Sequence, residues 1–438
     1  MAGKDFAFHA HQSDDGWTKE ETASPVANPM SVTGATFLLA GGTVGAGIIA
    51  LPVKTYDAGF GPSILGLVGC WALLYVSALF LLELSLWFGE GANISTMAED
   101  TLGSVAKFAC VGMYLFVYGA TVVAYVAEAP KFIVPAVSFL TGVAVPSWLA
   151  AAVFTFLWGY VIYLGSHPVN RVNFWCMAGC ILAYSLLLVL GGRGVNQESL
   201  SHSNWSSFPK NLPLMVTALS FHNMVPSLRI SMASVGDVRK AILYGSLVPL
   251  AMYALWELVI VGSLQKGDTI ESVEDVLRGM KSVGGEPVVL TFEWFSFLAI
   301  ITSFLGVGLG CLDFIRDLLL GFNVDSITDM ITDPTSRPFD IGRMGPLALF
   351  LMPCYFIGIA FPHIFLSALE FSGTLRLLIF SVLPVGMVWV GRYRQNRKEM
   401  TFGGKWLLIA VLVISLVIIF LEWHHKIMRD PAKMAGQS

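Results

Sequence analysis

The stretch Gly41-Gly42-Thr43-Val44-Gly45-Ala46-Gly47-Ile48-Ile49-Ala50-Leu51-Pro52 lies in an apolar run from about 31 to 57, long enough to cross a bilayer. It is poorly suited to one continuous helix. Four glycines in seven residues weaken the helix, and Pro52 has no amide proton to give to the preceding turn. Irregular backbone at membrane depth persists only where protein buries it or water reaches it. Two readings fit. In one, the freed amides and carbonyls of Thr43, Val44, Gly45, Ala46 and Gly47 line a cavity and hold a charged solute. In the other, Gly41 and Gly45 form a small-xxx-small pair that lets two helices touch. A phosphate-binding loop does not fit, because no Lys-Ser/Thr follows and no strand precedes.

Composition sets the class. Of 438 residues, 55% are hydrophobic and only 13% charged, where a soluble domain carries about a quarter. The chain reads as an all-α polytopic protein whose partner is the lipid bilayer. A net charge of −4, dispersed along the chain, is too small to imply a nucleic-acid partner, and none is expected. The six cysteines sit in apolar spans and read as buried thiols, not a disulfide frame. Cys176 and Cys180 are one turn apart with no His or further Cys in that span, so no metal or cofactor is expected.

Residues 1–29 are polar and acidic, without the apolar core of a signal peptide, and predict a disordered cytoplasmic tail. A second span covers about 61–88, and the polar segment 89–103 predicts a short surface helix. In the third span, about 105–128, Tyr114, Tyr118 and Tyr125 share one helical face. That stripe suits packing or an interfacial belt, with Tyr118 a candidate solute contact at mid-depth. Spans four and five cover about 147–165 and 170–192, and Asn204-Trp205-Ser206 is a glycosylation acceptor if its loop faces the exterior.

The sixth span, from Leu212 to Ser231, is interrupted by Ser220-Phe221-His222-Asn223-Met224-Val225-Pro226. The proline disfavours helix before it, and His222 and Asn223 are costly in lipid. His222 is either a satisfied packing histidine or a solute or proton contact. Span seven, 240–264, carries Pro249 and Glu257; an acidic loop leads to span eight, about 289–320, with Thr302 and Ser303. An Asp-rich loop and spans at 345–361, 363–390 and 404–423 follow, with Glu370 and Arg376 on different faces of span ten.

These spans number about eleven, with breaks in the first and the sixth; breaks at matching places in two halves point to an inverted-repeat transporter. The core would run over 30–395, as repeats 30–192 and 212–390, with an eleventh helix and tail over 400–438. The basic cluster Arg392, Arg394, Arg397, Lys398 and Lys405 places that loop, and the amino terminus, in the cytoplasm.

The first-span motif, continued by Ala58-Gly59-Phe60, resembles that of the amino acid/auxin permeases, and most of all their hydroxy/aromatic amino acid permease branch of tyrosine and tryptophan permeases. Ser220 to Ser227, Ala241 to Pro249, Thr302 to Gly310 with Asp313-Phe314, and Phe361-Pro362 with Ala368 to Gly373 match further segments of that branch in order. The departures are Lys54 and Glu370, each charged where the branch commonly has a neutral residue.

The resemblance implies a LeuT-type 5+5 fold, no enzymatic activity, and import of an amino acid in symport with protons across the cell membrane. The backbone over Thr43–Gly47 would meet the carboxylate, the segment Ser220, Phe221, His222 and Asn223 the ammonium, and Phe221 with Tyr118 the side chain. His222, Glu257 and Glu370 are candidate titrating groups; His222 is preferred because its free side chain titrates close to neutral pH. Thr302 and Ser303 would form a sodium site if sodium replaces the proton. A non-transporting sensor on the same fold is the competing class. A channel and a membrane enzyme find no motif: no charged pore stripe, no His-Glu-x-x-His, no Gly-x-Ser-x-Gly.

Overall fold

The computed structural model describes residues 29–89, 92–265, 269–321 and 341–434, and all but the last residue of the expected amino-terminal tail lies outside them. No strand occurs among the described residues. Ser31 opens helix α1 (Val32–Thr43), its hydroxyl accepting from the Gly34 amide at 3.1 Å. Val44 leaves the helical region, and α2 (Gly47–Thr55) resumes after a bend of 56°. The first span is therefore broken where its glycines cluster. At Gly59 a turn with φ of 84° leads into α3 (Phe60–Phe88). A Cβ there would lie 2.0 Å from the His202 carbonyl oxygen, so the close approach requires glycine.

The polar segment forms α4 (Ile94–Leu102), capped by Asn93, which accepts from the Ser95 and Thr96 amides at 3.0 Å each. It is a short helix with one face exposed at Thr96, Asp100 and Leu102. Met97 and Ala98 are fully buried because the apolar stripe docks against the bundle. The third span, α5 (Ser104–Glu128), continues past its expected end as α6 (Pro130–Thr141), the proline serving the first turn. Then follow α7 (Ser147–Tyr163), α8 (Ser166–Gly191) and the short α9 (Gln197–Ser201).

The sixth span is also broken. Helix α10 (Leu212–Ala218) stops, Leu219 to Phe221 leave the α-helical region, and a 3₁₀ turn over His222–Met224 leads into α11 (Val225–Ser231). Pro226 sits in the first turn of α11, where a missing amide costs nothing, so the interruption lies just ahead of the proline. Helix α12 (Val235–Ser263) is continuous through Pro249. Helix α13 (Val273–Gly321) is kinked at Gly285, whose φ is 66°; its first part makes helical much of what the acidic sequence suggests is loop. After α14 (Ile341–Ala360), the tenth span is α15 (Phe365–Leu377), a π-helical stretch over Leu378–Val382, and α16 (Leu383–Tyr393). Helix α17 (Gly404–Met434) closes the described chain.

Seven of the described helices are long and apolar enough to cross a membrane, and α1 with α2 makes an eighth when counted as one bent span; Ser147–Tyr163 and Met344–Ala360 are shorter apolar helices. The outside of the bundle carries exposed aromatic side chains such as Phe139 and Trp406, as a lipid-facing surface would. The protein is thus an integral multi-pass membrane protein. Its two broken spans meet inside, α10 packing on α2, α3 and α15.

Candidate functional site

Each break ends one half-helix with carbonyls that no further turn can satisfy. Those of Thr43, closing α1, and Ala218, closing α10, converge on the fully buried Tyr253, whose hydroxyl lies 3.0 Å from each oxygen. The Gly45 amide faces the same hydroxyl. With one proton, Tyr253 satisfies two helix ends by sharing it, and so ties the breaks together. Its place in α12 carried no sequence signal beyond a polar aromatic in an apolar span.

Ser303 braces the first break from the other side, its hydroxyl accepting from the Ala46 amide at 2.9 Å. A Cβ on Gly45 would lie 2.2 Å from that oxygen, and one on Gly47 2.9 Å from the Ala218 Cα. Met224 occupies the space beside Gly42. The missing side chains of the motif are therefore filled by protein, and close packing accounts for them. What remains for a solute is backbone polarity. The Gly47 amide, at the start of α2, has no acceptor among the described residues.

In the second break the buried Ser220 hydroxyl has no hydrogen-bond partner, and Asn223 is exposed although its neighbours Phe221 and His222 are buried. Tyr118 faces Asn223 and holds the Tyr114 hydroxyl at 2.8 Å, so the tyrosine stripe reaches the break. Tyr125 reaches Ser303. His222 is held differently. Its ring stacks between Phe221 and Phe380, centroids 5.1 Å away on both sides, and Nε2 lies 2.8 Å from the Ser77 hydroxyl. Ser77 also lies 3.1 Å from the Leu74 carbonyl, and the His222 Nδ1 is left without a partner. The ring is thus enclosed by protein on both faces, with one nitrogen free of any hydrogen bond.

Thr302 turns its hydroxyl to Ala299 of its own helix at 3.0 Å. Glu370 pairs with Lys54 at 2.8 Å, so these two charges answer one another across α2 and α15. Glu257 is fully buried. Its Oε2 lies 2.6 Å from the Thr55 hydroxyl, and Oε1 has no partner. Thr55 also lies 2.8 Å from the Leu51 carbonyl. If its single proton goes there, the Glu257 contact needs a protonated carboxyl as donor.

A groove of about 700 Å³ lies between α5, α14 and α15, lined by Leu115, Phe116, Val123, Phe350, Ile357 and Phe371 among others. It is apolar, and exposed side chains such as Phe116 and Ile357 line it. Nothing in it suits a charged solute. Among the described residues no group of His, Cys, Asp or Glu could hold a metal ion.

The model of the tryptophan/tyrosine permease family matches residues 28–422. Tyrosine-specific transport system 1 of Haemophilus influenzae is 30% identical over 88% of this chain and 94% of its own length. The tryptophan-specific transport protein of Pseudomonas aeruginosa is 25% identical over 92% and 99%. The low affinity tryptophan permease of Escherichia coli K12 is 23% identical over 88% and 93%.

Proposed function

The chain belongs to the tryptophan/tyrosine permease family, and on that premise we propose that it imports tyrosine, tryptophan or a related neutral amino acid in symport with protons, by alternating access. The spans would be α1 with α2, α3, α5, α7, α8, α10 with α11, α12, the second part of α13, α14, α15 with α16, and α17. That is about eleven, in a LeuT-type 5+5 inverted repeat over 30–192 and 212–390. The amino terminus would be cytoplasmic and the membrane the cell membrane.

The observation that carries the reading is the tie between the breaks, where one hydroxyl, Tyr253, serves the carbonyls of Thr43 and Ala218 together. Two discontinuous helices held in register present a fixed set of backbone dipoles to one solute. The carboxylate would take the Gly47 amide at the positive end of α2, and the ammonium the unpartnered Ser220 hydroxyl. Phe221 and Tyr118 would flank the aromatic side chain.

Protons are favoured over sodium by the polarity around Ser303. An amide donor meets that hydroxyl where a sodium site needs converging oxygens. Glu257 is the proposed proton carrier, since His222 is sealed between rings and Glu370 is paired. The test is uptake of labelled tyrosine and tryptophan into proteoliposomes in sodium-free buffer with an imposed inward proton gradient. Uptake that collapses with a protonophore is expected. A strict sodium requirement would overturn proton coupling and return the role to Thr302 and Ser303; binding without flux would make the protein a sensor.

A further inference from the structure

Arg376 lies in the last turn of α15, half-buried in the middle of the tenth span. Its Nε donates to the Ser372 hydroxyl at 3.1 Å and its Nη2 to the Thr121 hydroxyl at 3.2 Å, and those two hydroxyls are 3.1 Å apart. Both partners are neutral, and they use two of the five N–H donors of a guanidinium. Among the described residues no carboxylate lies within ion-pair distance of it. The polar groups that face it from the packed elements are the phenols of Tyr114, Tyr118 and Tyr125 on α5, and the His222 ring in the second break. An arginine at this depth ordinarily carries a paired anion, because an isolated charge is expensive there.

Its surroundings lead to the breaks. Tyr118 touches Asn223, Tyr125 touches Ser303, and Ser303 holds the Ala46 amide. Directly after Leu377 the helix widens into the π stretch Leu378–Val382, which puts Phe380 against His222. Such π turns concentrate at functional sites. The guanidinium cannot give up its proton, so it is no carrier of the coupling ion.

We propose that Arg376 is the specificity residue for the substrate's carboxylate, the cation that separates an aromatic amino acid from its decarboxylated amine. The proposal rests on the breaks being the amino acid site. The Gly47 amide offers a dipole; Arg376 supplies the full charge that a carboxylate leaving water must meet. A purely structural arginine, cross-linking α5 and α15 through hydroxyls, would weaken every ligand alike when removed.

The experiment measures equilibrium binding to the purified full chain of tyrosine and tryptophan against tyramine and tryptamine. The wild type should prefer the acid by roughly a hundredfold. In Arg376→Gln the affinity for the acid should fall by about that factor while the amine changes less than about threefold, so the preference disappears. Arg376→Lys, which keeps the charge with a single-point donor, should retain a reduced preference. Equal losses for acid and amine, or a preserved preference in Arg376→Gln, would overturn the proposal while leaving the transport reading intact. If the wild type binds neither amino acid, both fall together. Should Arg376→Gln fail to accumulate, Arg376→Lys decides, and an acid preference identical to wild type sinks the idea.

Discussion

Arg376 and Arg392 belong to the same continuous tenth span, yet their partners differ in kind. Arg392 grips both oxygens of the buried Glu83 at 2.7 and 2.6 Å, meets Glu399 at 2.7 Å, and donates to the Thr401 carbonyl at 2.9 Å. Glu83 is answered again by the Thr401 amide at 2.9 Å. Arg376 meets only hydroxyls. The acids divide the same way: Glu83 is fully paired, whereas Glu257 has one threonine and an oxygen with no partner. A charge whose partners are all built in has a structural task. One left incomplete in the interior is where the proposed solute or proton would supply the missing partner.

The largest expected effect tests the paired side. Arg392→Ala would leave Glu83 buried without its cation, at about 3–5 kcal/mol. The variant should lose most of its monodisperse protein on detergent extraction. Arg376→Ala forfeits two neutral contacts, about 1–2 kcal/mol, and should extract nearly as the wild type does. Equal losses of folded protein would erase the contrast between the two arginines.

Next in size is the first break. Gly45→Ala places a Cβ 2.2 Å from the Ser303 oxygen, an overpacking cost of about 1–3 kcal/mol, and uptake should fall steeply. In a Ser303→Ala background the nearest remaining Ser303 atom is the Cβ at 3.5 Å, so the same substitution should cost much less. Thermal stability and uptake of all four proteins close the cycle. Strictly additive effects would show that Gly45 and Ser303 are not coupled.

Glu257→Gln sharpens the incomplete side. The amide keeps the shape and a donor toward Thr55, so stability should change by less than about 1 kcal/mol. Exchange of labelled for unlabelled substrate should continue, while accumulation against a gradient stops. Proton-driven accumulation at the wild-type level would remove Glu257 from the coupling role. The smallest effect is expected at Lys54 and Glu370, whose side chains are 29% and 16% exposed. Replacing Lys54 by Gln should cost at most about 1 kcal/mol in thermal stability; a larger loss would class this pair with Arg392 and Glu83.

Both breaks were legible as sequence, because glycine clusters and proline act locally on the helix. The sixth-span interruption lies just ahead of Pro226, as a proline that disfavours helix before it and is harmless in a first turn requires. His222 drew attention as a polar residue in lipid, but Phe221, Phe380 and Ser77 converge on it only in the folded bundle. Tyr253 carries no signal in the sequence because its two carbonyl partners belong to other helices. Arg376 did show as an intramembrane charge; that it lacked an acid could not be read from a chain holding Glu370 in the same span.

By itself the sequence determined the helical class, the two broken spans and the family, all of which follow from local composition and ordered motifs. The tertiary structure alone decided which buried charges are paired. Arg392 finds Glu83 across 309 residues, and Arg376 finds Thr121 across 255. At such separations the partner is chosen by how helices pack, and in a low-dielectric interior that choice decides whether a charge is anchored or left to receive a ligand.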